Sequence, residues 1–229
     1  DIPEVSAGPG EIRIRNYASA VNPTDIVSRS GLISQFRKDF PLPSVPGMDI
    51  SGIVDQVGEG VETGINIGDK VMGMVIPNEL HGAYREQIIL NQFAVVKNPE
   101  GYSFVESSTL PMNGLTARLS LDLLNLNKEQ VLAVTGGPGA YGGYVIQLAK
   151  ADGLTVIADA NENDIELLNE LGVDHIIPRG KNFVEKIKEV FPEGVDGIAD
   201  GALLNEKAID AVKDNGSFTS VRGFKGEPQ

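Results

Sequence analysis

The sequence predicts an α/β protein whose first half is built from β-strands and whose second half alternates strands with helices. Before about residue 105, short apolar runs of β-forming residues are separated by turn signals such as Gly8-Pro9-Gly10 and Gly58-Glu59-Gly60. After that point, helical and strand patterns of ordinary length follow one another. The first pattern is typical of an antiparallel, barrel-like domain, and the second is typical of a parallel sheet covered by helices on both faces.

The element boundaries divide the chain into two expected domains, residues 1–110 and residues 111–229. In the first domain we expect strands at 11–14, 50–57, 70–75, 84–90 and 94–96. In the second we expect strands at 131–135, 155–159, 174–177, 196–199 and 216–221, and helices at 105–112, 114–124, 141–152, 162–171, 181–190 and 204–213. Five strands are one short of a six-stranded dinucleotide fold, so we expect terminal segments to be missing at both ends of the chain.

Composition limits the classes of function. The chain has 229 residues, 41% of them hydrophobic, which is enough for a sizeable core. Its net charge of −13 argues against nucleic acid and anionic membranes as partners, because both need clustered Lys and Arg. No apolar run approaches the roughly 18 residues of a membrane span, and no signal peptide is visible. We therefore expect a cytoplasmic protein that acts on a small molecule.

Metal sites are restricted by the lack of ligands. The chain contains no cysteine and only two histidines, His81 and His175. Disulfides and thiolate metal sites are excluded, and a histidine site for zinc would need carboxylates to complete it. We expect no metal, and we assign neither histidine to catalysis.

The most informative segment, residues 131–143, reads VLAVTGGPGAYGG. A β-branched apolar run leads directly into Gly137-x-Gly139-x-x-Gly142, and an apolar stretch at helical spacing follows. In a strand–turn–helix unit, the first glycine allows the sharp turn, the second lets a pyrophosphate approach the backbone, and the third lets helix and strand pack closely. The alternative is a glycine-rich loop that only packs the crossover between two strands.

The helix that follows these glycines supplies the expected phosphate contacts. Backbone N–H groups of Gly139, Ala140 and Tyr141 should point at the pyrophosphate, where the helix N-terminus also provides a partial positive charge. The Tyr141 side chain could stack on the cofactor or cap the helix, and the sequence does not decide between them.

Seven segments together resemble the medium-chain dehydrogenase/reductase superfamily, and within it the zinc-independent quinone oxidoreductase group. In chain order they are AVNPTD at 20–25, VPGMDISG at 45–52, GDKV at 68–71, GAYRE at 82–86, LPMNGLTA at 110–117, the glycine loop, and LGVDHII at 171–177. The resemblance implies a GroES-like β-barrel catalytic domain followed by a Rossmann dinucleotide-binding domain. It also implies a homodimer.

Departures from the zinc alcohol dehydrogenases narrow the expected reaction. Met48 stands where those enzymes carry a histidine, and their cysteine ligand has no counterpart in this chain. Without a Lewis acid, reduction of an electron-poor acceptor such as a quinone or an α,β-unsaturated carbonyl is favoured over alcohol oxidation. Hydrogen bonds can hold the oxygen that gains charge.

The resemblance also assigns two residues to the reaction. Asn22 matches the family asparagine that faces nicotinamide and substrate, and its amide could donate to a developing enolate oxygen. The alternative is an Asn-Pro turn former. Thr116 matches the family threonine near the cofactor, or else is an ordinary helix residue. Val27 stands where relatives often carry a tyrosine, so solvent could supply the proton.

Cofactor preference depends on the end of the second strand of the dinucleotide domain. An enzyme that prefers NAD places an acid there for the ribose hydroxyls, and this position falls at Ala160. Asp159 lies one residue earlier and should point to the other face of the sheet. Asn161 resembles the small polar residue of NADP-binding members, and Arg179 could reach a 2′-phosphate. We therefore expect NADP, with NAD as the alternative.

Two further observations bear on the cofactor. Glu162 and Asp164 place negative charge close to the expected phosphate, which would weaken binding. Gly201 resembles the glycine near the nicotinamide ribose, or else forms a plain turn after a strand.

Other functions remain open on the same scaffold. An enoyl-thioester reductase would favour a basic rim, and no strong basic cluster is visible in the sequence. A metal-free alcohol dehydrogenase would also fit, as would a non-catalytic structural or binding protein that retains nucleotide affinity, since fold alone does not fix function.

Overall fold

The computed structural model describes residues 4–32 and 44–222. The chain divides into two compact units, Asp1–Met112 and Asn113–Gln229. The first unit contains β1 (Glu11–Ala18), α1 (Pro23–Arg29), β2 (Asp49–Val57), β3 (Lys70–Met74), β4 (Gln87–Asn91), β5 (Val95–Lys97) and α2 (Phe104–Ser107). The second unit follows from within α3 (Pro111–Leu124) and contains β6 (Val131–Thr135), α4 (Ala140–Ala151), β7 (Thr155–Ala160), α5 (Ile165–Glu170), β8 (His175–Pro178), α6 (Phe183–Val190), β9 (Val195–Asp200), α7 (Glu206–Ile209) and β10 (Val212–Ser220).

The first unit is built on a five-stranded antiparallel sheet with the strand order β4-β1-β2-β3-β5. In β1 the buried residues Ile12 and Ile14 alternate with more exposed ones, whereas the first four residues of β2 are all buried. The core formed by these strands includes Ile12, Ile14, Ile50, Val54, Val71 and Ile88. The predicted antiparallel arrangement of the first half is therefore confirmed.

A close backbone approach shapes the centre of this sheet. The β1–β2 register shifts between Asn16 and Ala18, and Gly52 of β2 lies opposite this irregularity. A Cβ on Gly52 would overlap the carbonyl oxygen of Arg15 and lie 2.9 Å from Cγ2 of Ile14. Only glycine lets the two strands approach this closely.

The second unit is a parallel sheet with the strand order β10-β9-β6-β7-β8. The chain runs from β6 outward through β7 to β8, then crosses to the other side of β6 to form β9 and β10. The carboxyl ends of β6 and β9 therefore flank a topological switch point, where ligands bind in open α/β sheets. The predicted parallel α/β half is confirmed.

Neighbouring residues along each strand of this sheet enter different apolar clusters. In β6, Leu132 and Val134 pack into one cluster, whereas Ala133 packs into the other. In β7, Val156 joins the first cluster and Ile157 the second. The strands read as continuous apolar runs because both faces of the sheet are covered.

Three predicted boundaries were wrong. The sequence assigned a turn to Asn22-Pro23, but α1 begins there with Pro23 at its first position. The single helix expected at 105–112 is divided between α2 and the start of α3. The helix expected at 204–213 is only α7, because Leu203 (φ 59°) and Asn205 (φ 52°) have left-handed backbones that a helix cannot contain. Within the described residues, no helix is both long and apolar enough to cross a bilayer.

Gly142 sets the distance between α4 and the turn after β6. A Cβ at this position would overlap the carbonyl oxygen of Gly136 and lie 2.8 Å from Cα of Gly137. We expect Gly142→Ala to lower the unfolding free energy of the second unit by about 1–3 kcal/mol, the usual cost of overpacking. Urea denaturation followed by circular dichroism measures this change.

The next residue of the same helix provides a matched control. A Cβ on Gly143 would make only an ordinary contact, 3.6 Å from Cδ1 of Leu171. Gly143→Ala should therefore stabilise the second unit by roughly 0.5–1 kcal/mol, since alanine loses less backbone entropy in a helix. Equal effects of the two substitutions would contradict the assigned close approach.

Candidate functional site

The glycine turn lies at the switch point of the second unit, directly after β6. The left-handed backbone occurs at Gly136 (φ 68°), one residue before the Gly137 that the sequence pattern indicated. A Cβ on Gly137 would lie 3.1 Å from Cβ of Ala158, so this glycine is needed for packing against β7. Gly139 caps α4 and donates its N–H to the carbonyl of Gly136 at 2.9 Å.

The first turn of α4 presents its backbone at this edge of the sheet. Ala140, Tyr141 and Gly142 are the first three helical residues, whose N–H groups have no carbonyl to reach within the helix. The first helical bond runs from the N–H of Gly143 to the carbonyl of Gly139, at 2.8 Å. Such a turn suits an anionic ligand, because its donors and the helix dipole act together.

The Tyr141 side chain turns into the protein. Its hydroxyl donates to Oγ of Ser120 at 2.8 Å, and its ring packs against the buried cluster of the second unit. Burial raises the pKa of Tyr141, so the phenol stays protonated as a donor. A Cβ on Gly201 would lie 2.8 Å from Cδ1 of this ring, which explains the glycine at that position. The Tyr141 side chain does not cap α4, whose N-cap residue is Gly139.

A buried polar network holds the turn that contains Gly201. Thr135, at the end of β6, donates its hydroxyl to Asp200 at the end of β9 and accepts the N–H of Ala202 at 3.0 Å. Asp200 also accepts the N–H groups of Leu204 and Asn205, at 3.0 and 2.8 Å. Asp200 precedes Gly201 in the pair that resembles the family segment near the nicotinamide ribose. Thr135 was not predicted as a site residue, although a polar residue at the end of an apolar strand was the available signal.

The ends of β7 and β8 meet through an ion pair. Asp159 accepts the backbone N–H of Gly136 and the Nε–H of Arg179, both at 2.8 Å. Ala160 is buried and offers no polar side chain. Asn161 is exposed, and its Nδ2 lies 3.5 Å from Oδ2 of Asp164, a long contact. Both carboxylate oxygens of Asp159 are therefore engaged by donors of the protein.

Asn22 begins α1 in the first unit and joins two buried carboxylates. Its backbone N–H donates to Asp25 at 2.9 Å, and its Nδ2 donates to Asp49 at 2.6 Å. Asp25 also accepts the N–H of Gly47 and the hydroxyl of Tyr84, at 2.9 and 3.1 Å. In this geometry Asn22 is the N-cap residue of α1, and its side chain is bonded to Asp49. Thr116 is a partly buried residue of α3 in the second unit.

The two carboxylates that Asn22 joins are bonded to neutral donors. Asp49 is fully buried, and its other oxygen accepts the N–H of Met112 at 2.6 Å. Burial, with a smaller contribution from the charge of Asp25, raises the pKa of Asp49, although its two hydrogen bonds oppose the shift. Burial and the bond to Asp25 raise the pKa of Tyr84 to about 12.

A small apolar pocket lies beside this network within the first unit. Met48 contributes to its wall and receives the hydroxyl of Thr24, whose Oγ1 lies 3.1 Å from the Met48 sulfur. The pocket has a volume of about 220 Å³ and is lined by Thr24, Asp25, Val27, Ser28, Pro46, Met48, Ile76 and Pro77. Across residues 4–32 and 44–222, no three side chains of His, Cys, Asp or Glu lie close enough together to hold a metal ion.

The raised pKa of Asp49 has a consequence for stability. The folded protein holds this proton more tightly than the unfolded chain, so ionisation of Asp49 opposes folding as pH rises from about 3.8 through the raised pKa. We expect the unfolding free energy of Asp49→Asn, relative to the wild type, to increase across this pH window and then level off. Urea denaturation between pH 4 and 8 measures it.

Asp69 provides a control of opposite sign. Hydrogen bonds from the N–H of Asn66 and from Lys97 lower the pKa of Asp69. Its ionised form therefore stabilises the fold above the unfolded pKa, and this contribution is lost as pH falls through the folded pKa. Asp69→Asn should lose stability relative to the wild type as pH rises toward about 3.8, and the difference should stay constant above that pH, where the Asp49→Asn variant gains. The same slope for both variants would contradict the assignment for Asp49.

Comparison with known families covers most of the chain. The alcohol dehydrogenase GroES-like domain family matches residues 8–100, and the zinc-binding dehydrogenase family matches residues 140–229. These segments fall in the first and second units respectively.

Individual relatives agree with the family matches. A 2-methylene-furan-3-one reductase of Solanum lycopersicum is 33% identical over 225 residues, which are 95% of this chain and 56% of that protein. An NADPH-dependent alkenal/one oxidoreductase, chloroplastic, of Arabidopsis thaliana is 29% identical over 234 residues, 99% of this chain and 58% of that protein. The chain spans about half the length of the curated relatives it matches.

A solved structure extends the agreement to the fold. The quinone oxidoreductase from Coxiella burnetii superposes with a TM-score of 0.80 at 31% identity, over 96% of this chain and 69% of that one. The match includes residues of both the antiparallel and the parallel sheet. It confirms the predicted combination of a GroES-like and a Rossmann domain. The chain therefore belongs to the medium-chain dehydrogenase/reductase superfamily, and within it the chain is similar to quinone oxidoreductases.

Proposed function

We propose that this protein is a zinc-independent, NADPH-dependent reductase that acts on a quinone or an α,β-unsaturated carbonyl compound. The observation that carries the proposal is the glycine turn at the switch point, with Arg179 close to it. The position where an NAD enzyme would carry an acid is occupied by the buried Ala160. Relatives named as reductases of furanones and of alkenals or alkenones support the acceptor class.

The residues of the second unit fit a dinucleotide. Gly139 has no Cβ to crowd the glycine turn between β6 and α4. The backbone N–H groups of Ala140, Tyr141 and Gly142 are suited to bind the pyrophosphate. Asn161 and Arg179 suit a 2′-phosphate, whereas Gly201 and Thr116 are assigned to the nicotinamide half by resemblance. Gly137 does not contact the pyrophosphate in this proposal, but it packs closely on β7 and so holds the glycine turn in place.

Two features of the β7–β8 edge bear on NADPH against NADH. An NAD enzyme needs carboxylate oxygens that reach the ribose hydroxyls, and those of Asp159 are engaged by Gly136 and Arg179. Glu162 and Asp164 are the opposing feature, because both are acidic and Glu162 is exposed beside Asn161. We infer that the guanidinium of Arg179 outweighs them, since it can form bidentate bonds with a phosphate.

The chemistry divides between cofactor and protein. A bound NADPH supplies the hydride that reduces the acceptor. Asn22 donates an amide N–H to the acceptor oxygen, and Asp49 fixes the orientation of that amide. Val27 lines the apolar pocket at the position where relatives often carry a tyrosine, so the proton comes from water.

The pocket beside Met48 suits the body of such an acceptor. Its volume of about 220 Å³ exceeds the roughly 150 Å³ that holds a benzene ring in an apolar cavity. Met48 and Val27 form part of its apolar wall. Met48 replaces the histidine that binds zinc in the zinc alcohol dehydrogenases. A single ring or a short alkyl chain is the size of group that we assign to it.

We extend the proposal to assembly and location. Its resemblance to the family supports a homodimer, and its composition supports a cytoplasmic protein that acts on a small molecule. Light scattering after size exclusion tests the first statement, and fluorescence microscopy of the tagged full-length protein tests the second.

Cofactor titration is the first test. Nicotinamide fluorescence should report NADPH binding at least about tenfold tighter than NADH, the contribution expected of a charged hydrogen bond. Arg179→Met should remove this preference by weakening NADPH alone. Lys188→Met removes an exposed positive charge from α6 and should change neither affinity. Failure of the wild type to bind either nucleotide would leave a structural or interaction role.

A substrate panel is the second test. Quinones and enones should be reduced by NADPH, while an enoyl-thioester and a simple alcohol should not react at a comparable kcat/KM. Preference for the thioester would replace the proposed acceptor class with enoyl-thioester reduction. Oxidation of the alcohol would indicate a metal-free alcohol dehydrogenase on the same fold.

Asn22→Ala tests the assigned donor. We expect kcat to fall by about 100-fold, in the range found when an oxyanion-stabilising donor is removed. Asn16→Ala is the control, because Asn16 also donates to backbone and side-chain oxygens in the first unit. It should lower stability and leave kcat unchanged. Equal losses of kcat in both variants would count against a role for Asn22 in the reaction.

A further inference from the structure

Asp159 differs from the acidic residue that usually follows this strand in nucleotide-binding sheets. Its side chain is only 6% exposed, whereas that of its partner Arg179 is 38% exposed. Both carboxylate oxygens face protein donors, one on Gly136 and one on Arg179. An acid that recognises ribose must instead turn its oxygens to the ligand.

The contacts of Arg179 leave the outer end of its guanidinium toward solvent. Nε donates to Oδ2 of Asp159 at 2.8 Å, and the backbone N–H donates to the carbonyl of Ala160 at 2.8 Å. One terminal nitrogen has only a long, 3.5 Å contact with the carbonyl of Asp159. Because the guanidinium is planar, a bond at Nε fixes the plane in which both terminal nitrogens point.

The other oxygen of Asp159 reaches the glycine turn. It accepts the N–H of Gly136, the residue with the left-handed backbone that opens the turn toward α4. One buried carboxylate therefore joins the end of β6, the end of β7 and the residue after β8. These are the three places that would contact the pyrophosphate and the 2′-phosphate of one dinucleotide.

We propose that Asp159 is a positioning residue for NADPH, which orients Arg179 toward the 2′-phosphate and ties that arginine to the glycine turn. The inference rests on the proposed function, since it assumes that the second unit binds NADPH. It reverses the usual meaning of an acid at this edge, because Asp159 favours the phosphorylated cofactor without touching it. Because Arg179 is already oriented before NADPH binds, its side chain loses less conformational entropy on binding than an unpaired arginine would.

The direction in which Asp159→Asn changes the affinity for NADPH distinguishes a positioning role from a simple Coulomb effect. Asp159→Asn removes a negative charge near the expected 2′-phosphate, so Coulomb attraction alone would tighten NADPH binding. An amide also loses the charge-assisted bond that holds Nε, so the positioning role predicts weaker binding. We expect the Kd for NADPH to rise about tenfold, the effect of losing one charged hydrogen bond, and the Kd for NADH to change less than twofold.

The test is fluorescence titration of the full chain with NADPH and NADH, with 2′,5′-ADP and 5′-AMP as competing fragments. A selective loss of NADPH and 2′,5′-ADP supports the proposal. Tighter NADPH with weaker NADH would mean that Asp159 binds ribose, and equal losses of both would mean a purely structural role. If the wild type binds neither nucleotide, the proposed function fails rather than the assignment of Asp159.

A double-mutant cycle tests whether Asp159 acts through Arg179. In the Arg179→Met background, Asp159→Asn should no longer weaken NADPH selectively, because the oriented group is gone. An undiminished effect in that background would overturn the proposal. Arg179→Lys keeps the charge but lacks the Nε–H, so it should also lose NADPH selectivity. It serves as the second variant if Asp159→Asn folds poorly.

Asp174 offers a matched control at the opposite end of β7. It also accepts one backbone N–H, from Val156 at 2.7 Å, and one basic side chain, Lys150 at 2.6 Å. Asp174→Asn should lower the denaturation midpoint and leave both nucleotide affinities unchanged. If Asp174→Asn also lost affinity for NADPH but not for NADH, the loss in Asp159→Asn would be a general result of weakening an edge of the sheet.

Discussion

The close approach of α4 to the end of β6 is the constraint on which the second unit depends. Gly142 lets the helix axis pass near the carbonyl of Gly136, and that carbonyl accepts the N–H of Gly139. A helix displaced by one side chain would no longer aim its first N–H groups at the switch point. The packing of α4 on this turn and the direction of its first N–H groups therefore depend on the absence of a Cβ at Gly142.

Buried carboxylates organise the two candidate sites in a shared manner. Asp159 and Asp200 in the second unit, and Asp25 and Asp49 in the first, each accept hydrogen bonds from backbone N–H groups or neutral side chains. Of these four, Asp159 alone forms an ion pair among the described residues. Such groups cost free energy to bury, so they persist where they fix loops that strands and helices alone leave variable.

Sequence patterns predicted the parallel and antiparallel sheets well, because burial repeats along a strand with a fixed period. They failed where a single backbone angle decided the outcome. Leu203 and Asn205 adopt positive φ angles before α7, and although asparagine favours this conformation, leucine does not signal it in advance. Asn22 and Pro23 suggested a turn, yet Asp25 accepts the N–H of Asn22 and a helix begins there.

The sequence by itself determined the order of strands and helices and the glycine turn, because these follow from local apolar patterns and from the positions of glycines, and the resemblance of seven of its segments to known motifs indicated the family. Tertiary structure alone decided what the carboxylates do. Asp159 is separated from Gly136 and Arg179 by 23 and 20 residues, and Asn22 is 27 residues from Asp49. Such contacts form only when distant strands end at the same edge, so no local pattern records which donor each carboxylate meets.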